Sequence, residues 1–171
     1  MPGARTHDFL TLITVAAADG IYFTRVPHPN TQMAALFTVA YVFAGYACAG
    51  DLDINSREYH RWGPLRFLWW PYRMMVPHRS RISHGLVLGG LIRIAYLAVI
   101  TTVVFWTGMW AISRLGMHID PSREVDTGWH SFFGFVHMHP GWSAALLTGF
   151  VLAGTTHSIA DLISTGIKRR L

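Results

Sequence analysis

The stretch HGLVLGGLIRIAYLAVITTVVFWTGMWAI, residues 84–112, decides the fold, because Arg93 is the one permanently charged side chain in it. A helix needs roughly 20 apolar residues to cross a bilayer core of about 30 Å, and this segment has the length and the composition. Working outward, three further windows of similar character stand at about 9–27, 31–50 and 140–163, the first interrupted by Asp19. The expected architecture is all-α: one domain over residues 1–171, an integral membrane bundle of four transmembrane helices. A basic and aromatic connection, residues 51–83, joins spans two and three, and a polar stretch at about 113–139 joins spans three and four.

Composition agrees with that reading. Hydrophobic residues make up 51% of the chain and charged residues only 13%, about half the charged share of an ordinary soluble protein. The single cysteine, Cys48, lies in an apolar run and excludes an internal disulfide or a cysteine-based zinc motif. Met1 to Asp8 lacks the basic, apolar and small-residue pattern of a signal peptide, so the first span is expected to stay in the mature chain.

The distribution of Lys and Arg sets an orientation. Arg5, the arginines at 57, 61, 66, 73, 79 and 81, and Lys168, Arg169 and Arg170 all fall on one side of the four spans, against Arg25, Arg114 and Arg123 on the other. Positive residues are retained in the cytoplasm, which places both termini and the 51–83 connection there. Within that connection, Trp62 to Val76 mixes Trp, Phe and Met with Arg, the composition of a segment lying among lipid headgroups. The net charge of +5 is thereby assigned to anionic lipid, and nucleic acid is not expected as a partner.

Polar residues that hydrophobicity does not explain gather on the same side. His7 and Asp8 begin span one, Asp51 and Asp53 end span two, His78 and His84 lead into span three, and His157 and Asp161 lie near the end of span four. His157 and Asp161 are four apart, on one helical face and within reach of a single ion. Two carboxylates as close as Asp51 and Asp53 repel unless a cation or an arginine neutralises them, and a capping turn is the alternative. Each residue alone is weak evidence, but four helices delivering His or Asp to one leaflet is hard to obtain from helix ends alone. Imidazole with carboxylate suits Zn²⁺, with Mn²⁺ and Fe²⁺ behind it. Asp19 and Arg93 are expected at similar depth as a buried ion pair, and His28, His60, His118, His130, His137 and His139 as surface or interfacial groups.

The stretch Gly50-Asp-Leu-Asp-Ile-Asn-Ser56, with Arg61-Trp-Gly-Pro-Leu-Arg66, Trp70-Pro-Tyr72 and His78-Arg-Ser-Arg-Ile-Ser-His-Gly85, resembles a DUF2227-like family of uncharacterised bacterial membrane proteins named for metal binding. Arg5-Thr-His-Asp8 and Thr156-His-Ser-Ile-Ala-Asp161 are similar to the same family. More distantly, the Asp-Leu-Asp, His-Arg and His-Ser elements are similar to inner-membrane metal-dependent hydrolases related to the zinc phospholipase C and P1 nuclease group. Here Gly50 stands where that group usually has Pro, and the interval from His78 to His84 is one residue longer than its counterpart.

The combined expectation is a multi-pass protein of the bacterial inner membrane in which His7, Asp51, Asp53, His84, His157 and Asp161 hold one or more divalent ions. A coordinated water would act as nucleophile on a phosphate ester or lipid-linked substrate, with Asp8 as orienting group or general base and His78 and Arg79 stabilising developing negative charge. The alternative is a membrane protein that binds or transports metal without catalysis.

Overall fold

The computed structural model describes residues 3–77 and 85–168, with side chains through residue 165, and every regular element in it is helical. The seven α-helices are α1 (Ala4–Arg25), α2 (Thr31–Ala47), α3 (Arg57–Arg61), α4 (Trp70–Met75), α5 (Leu88–Arg114), α6 (Pro121–Met138) and α7 (Pro140–Lys168); 3₁₀ turns occupy Gly50–Asp53 and Gly63–Trp69.

The boundaries follow from local chemistry. Helix α1 stops at Arg25 because Val26 precedes Pro27 and takes the extended backbone that a following proline imposes. Asn30 then starts α2, its side chain accepting the amides of Gln32 and Met33 at 3.0 and 3.1 Å. At the other end of α2, Arg61 Nη1 donates to Tyr46 O at 2.8 Å and Trp62 Nε1 to Ala47 O at 2.7 Å. The segment after α2 therefore folds back and satisfies carbonyls that the helix leaves open.

Helix α2 lies between α1 and α7, with α7 its principal neighbour; α5 packs on α7, and α6 on α5. The α2–α7 approach is close enough that a β-carbon at Gly149 would lie 2.5 Å from the carbonyl oxygen of Phe37, and one at Gly45 would collide with Thr11 of α1. Small residues at crossings of this kind let helix backbones come together. Tyr41 ties the three helices, its hydroxyl 2.8 Å from Thr14 Oγ1 on α1 and 2.6 Å from Thr156 Oγ1 on α7. A core of Leu52, Tyr59, Trp69, Tyr72, Val76 and Phe150, among others, fills the end of the bundle where the 57–76 segment packs.

Outward faces are apolar over most of the bundle: Phe9, Ile21, Val39, Val99, Val103 and Leu162 are among many exposed large hydrophobic residues. Among the described residues two helices, α5 and α7, are long and apolar enough to cross a membrane, whereas α2 is apolar but only 17 residues long. That helix ends three residues short of the expected span because the chain turns into the Gly50–Asp53 3₁₀ helix.

Two further expectations need correction. The polar 113–139 connection contains the 18-residue α6, whose N-cap is Asp120, with Pro121 in its first turn; its alternating polar and aromatic faces hide a helix in a window averaged for polarity. The Asp19–Arg93 ion pair does not form. Helix α5 begins at Leu88, so Arg93 is little more than one turn from its start, beside Tyr72, Cys48 and Asp53, while Asp19 sits farther along α1 and accepts a hydrogen bond from Thr38 at 2.6 Å.

The two kinds of glycine environment predict opposite outcomes. Gly149→Ala forces a β-carbon against α2 backbone and is expected to destabilise the protein by about 1–3 kcal/mol. Gly20→Ala, with nothing within 4 Å, is expected to stabilise α1 by up to about 1 kcal/mol. Thermal unfolding in detergent, followed by circular dichroism, checks both.

Candidate metal centre

Helix α1 buries the face formed by His7, Thr11 and Val15, one residue per turn, so His7 points at the bundle. Thr11 Oγ1 donates to His7 O at 2.9 Å and fixes that first turn. Helix α7 contributes His157 and Asp161 from one face, both buried. Asp51 comes from the 3₁₀ turn that the α2 cap holds in place.

These four side chains meet. His7 Nε2 is 3.3 Å from Asp161 Oδ1, His157 Nε2 is 3.4 Å from Asp161 Oδ2 and 3.8 Å from Asp51 Oδ2. The two imidazole rings stack at 3.9 Å between centroids and 22° between planes, and both Nε2 atoms lie against the Asp161 carboxylate. One ligand atom from each of the four lies within 4.8 Å of all the others. The spacing is informative. A charge-assisted N–H···O bond is about 2.7–2.9 Å long, and these contacts are longer. Ligand atoms held about 2.0–2.2 Å from a four-coordinate ion stand about 3.3–3.6 Å apart, which two of the three separations match, with the third slightly wider.

Burial is uneven around the group. The side chains of His7, His157 and Asp161 are 3%, 4% and 6% exposed, and that of Asp51 is 18% exposed. Three donors are therefore enclosed and the fourth marks the open side.

The other expected site residues are placed differently. Asp53 is buried but is not among the four grouped donors. A 3₁₀ helix turns about 120° per residue, so side chains two apart in Asp51-Leu52-Asp53 diverge, and the second carboxylate is directed toward Arg93 and Tyr72. Arg93 is itself buried, its guanidinium passing so close to Gly154 that a β-carbon there would lie 2.6 Å from Nη2. Burial raises the Tyr72 phenol above its ordinary value while the Arg93 charge opposes the rise. Asp8 is held by Arg61, Nη2 to Oδ2 at 2.5 Å, and the same guanidinium stacks on Tyr46 at 4.7 Å. His78, Arg79 and His84 lie outside the described residues.

Arg61 is the site-supporting residue that the sequence does not reveal. It counts there as one positive charge among many, yet it joins α1, α2 and α3 through Asp8 and Tyr46. The visible signal is a pair of donors, Arg61 and Trp62, each fifteen residues beyond the carbonyl it caps.

Comparison with known proteins places this geometry in a family. A curated protein of Aquifex aeolicus (strain VF5), itself uncharacterized, is 28% identical over 140 residues, covering 78% of this chain and 92% of that one. No solved structure matches the chain. The family described as uncharacterized metal-binding protein, DUF2227, matches residues 2–171, and the chain belongs to it.

Proposed function

We propose that the protein is a multi-pass membrane protein carrying a divalent metal centre on His7, Asp51, His157 and Asp161, and that the centre hydrolyses a phosphate ester, in a lipid or lipid-linked substrate, at the cytoplasmic leaflet. The observation that supports it best is the convergence of two Nε2 atoms on the two oxygens of one buried carboxylate at 3.3 and 3.4 Å. Two imidazoles and two carboxylates favour Zn²⁺ over Mn²⁺ or Fe²⁺. A closed set of four would suit a structural ion, whereas a catalytic one keeps an open position. The greater exposure of Asp51 puts that position beside it.

A divalent ion there would bring the pKa of a coordinated water to about 7, so that hydroxide is available at neutral pH. The chain's own residues do the rest. Arg61 fixes Asp8 and the α1 terminus, which fixes His7. The α2 cap fixes the 3₁₀ turn and hence Asp51. Arg93 stands against the second carboxylate of that turn and relieves its repulsion with the first. His84 as a further ligand, and His78 with Arg79 as partners of a phosphate, come into the proposal from their sequence positions.

Membrane embedding rests on the apolar exterior, on α5 and α7, and on α1 and α2 completing four spans. The 57–76 segment exposes Phe67, Trp70, Met74 and Met75 beside Arg57 and Arg66, a surface fitted to headgroups.

Four outcomes are expected. Detergent-purified protein contains about one divalent ion per chain by elemental analysis, and His157→Ala and Asp161→Asn each lose it while staying folded; a wild type that is metal-free and cannot be reloaded overturns the metal centre. Because the ligands come from α1, a turn and α7, chelation is expected to lower unfolding stability, by about 2.7 kcal/mol relative to an ion at 100 times its Kd. Alkaline phosphatase fused after Ile119 is expected to be active outside the cytoplasm and inactive when fused after Leu171; the reverse pattern overturns the orientation. With metal established, phosphate release from phospholipid or from small phosphate esters that is lost in Asp161→Asn supports hydrolysis, and a metal-loaded protein inert toward all of them leaves the non-catalytic reading.

A further inference from the structure

A second polar feature lies well away from the metal centre. Asp19 is twelve residues along α1 from His7, about 18 Å at 1.5 Å per residue. It borders a cavity of about 320 Å³ between α1, α2 and α7, whose walls are otherwise mostly apolar. Among the described residues no Lys, Arg or His pairs with this carboxylate; its partner is the Thr38 hydroxyl. An ionised carboxylate against apolar walls is costly unless a positive charge or a proton compensates it.

Thr38 Oγ1 donates to Asp19 Oδ2 at 2.6 Å and lies 2.9 Å from Ala34 O. Ala34 O also accepts the helical amide of Thr38, so the one hydroxyl proton is available to the carboxylate.

We propose that this cavity is a binding site for an organic ammonium ion with a small apolar body, the cation pairing with the Asp19 carboxylate. The donor set excludes a metal ion, which would need several oxygen or nitrogen ligands. The Tyr22 hydroxyl is occupied by the Asn30 amide at 2.9 Å, and the Thr148 hydroxyl by Ala144 O at 2.7 Å. What remains suits an ammonium group: one carboxylate, and the aromatic rings of Tyr22 and Phe37 on the cavity wall, whose faces attract cations. The volume has room for on the order of ten non-hydrogen atoms at about 30 Å³ each. Among the described residues Tyr22 is the one other titratable group on the cavity; Met33, Ala34, Phe37 and Thr38 from α2 and Ala144, Ala145 and Thr148 from α7 carry no charge.

The experiment is calorimetric titration of the metal-loaded, detergent-purified protein with benzyltrimethylammonium, which has no proton to lose, and with neutral benzyl alcohol of similar size. The cation is expected to bind at least about tenfold more tightly than the alcohol. Asp19→Asn is expected to weaken cation binding at least about tenfold, with metal content unchanged. Cation binding that is undetectable, no tighter than that of the alcohol, or unchanged in Asp19→Asn overturns the site. Should that variant fail to fold, Ala144→Phe, at an exposed position on the cavity rim, decides: loss of cation binding supports the site and retention overturns it.

Discussion

The backbone contact between α2 and α7 is the constraint on which the rest of the structure depends. At Gly149 the two helices are separated by less than a side chain, with Phe37 O where a β-carbon would have to go. That contact fixes the register of α7 along α2, and two turns farther on it puts His157 and Asp161 level with the end of α2, where the chain turns through Asp51. A shift of one residue along α7 would rotate His157 by about 100° and carry its imidazole away from His7. Gly154 leaves room on α7 for the Arg93 guanidinium, so small residues of α7 position both the ligands and the buried cation.

Polar groups in this bundle are compensated locally, each within its own stretch of helix. At the capped end, Arg61 answers Asp8, and Arg93 lies against Asp53 and Tyr72. Midway along α1, Asp19 has only a hydroxyl. Burying an isolated charge is costly, and the carboxylate of Asp161 faces two imidazoles in a dry setting. The proposed metal centre would place a cation among these groups, as an ammonium would stand beside Asp19.

How much of this was legible in the sequence depends on the kind of signal. Hydropathy over a long window found α1, α2, α5 and α7, and the i, i+4 spacing of His157 and Asp161 placed two donors on one face. Grouping His7 and Asp51 with them followed from counting which ends of the helices share a side. Helix α6 was lost because window averaging ignores its period, although Asp120-Pro121 is a helix start that local reading can find. The Asp51–Asp53 pair was read as two neighbouring ligands because the sequence does not distinguish a 3₁₀ turn from an extended end, and only the turn sends the second carboxylate toward Arg93. Arg93 was placed too deep because the helix was started four residues early. The role of Thr38 had no sequence signal and that of Arg61 only the fifteen-residue spacing it shares with Trp62, since each depends on a partner brought near by tertiary packing.

Residues 7, 51, 157 and 161 are drawn from almost the whole length of the chain, and this separation has a thermodynamic consequence for the proposed centre. In the unfolded chain the donors are far apart and hold an ion weakly, so nearly all of the binding free energy belongs to the folded state. The elements most dependent on that energy are α1, whose outward face is exposed apolar surface and whose end is tied down chiefly by His7, Asp8 and Thr11, and the short turn carrying Asp51. Helices α2 and α7 are locked to each other by backbone contact and need no ion. The centre is thus built from a rigid pair and two attached pieces, and its open side falls on one of the attached pieces, at Asp51, where a ligand can be approached and the geometry adjusted without disturbing the α2–α7 contact.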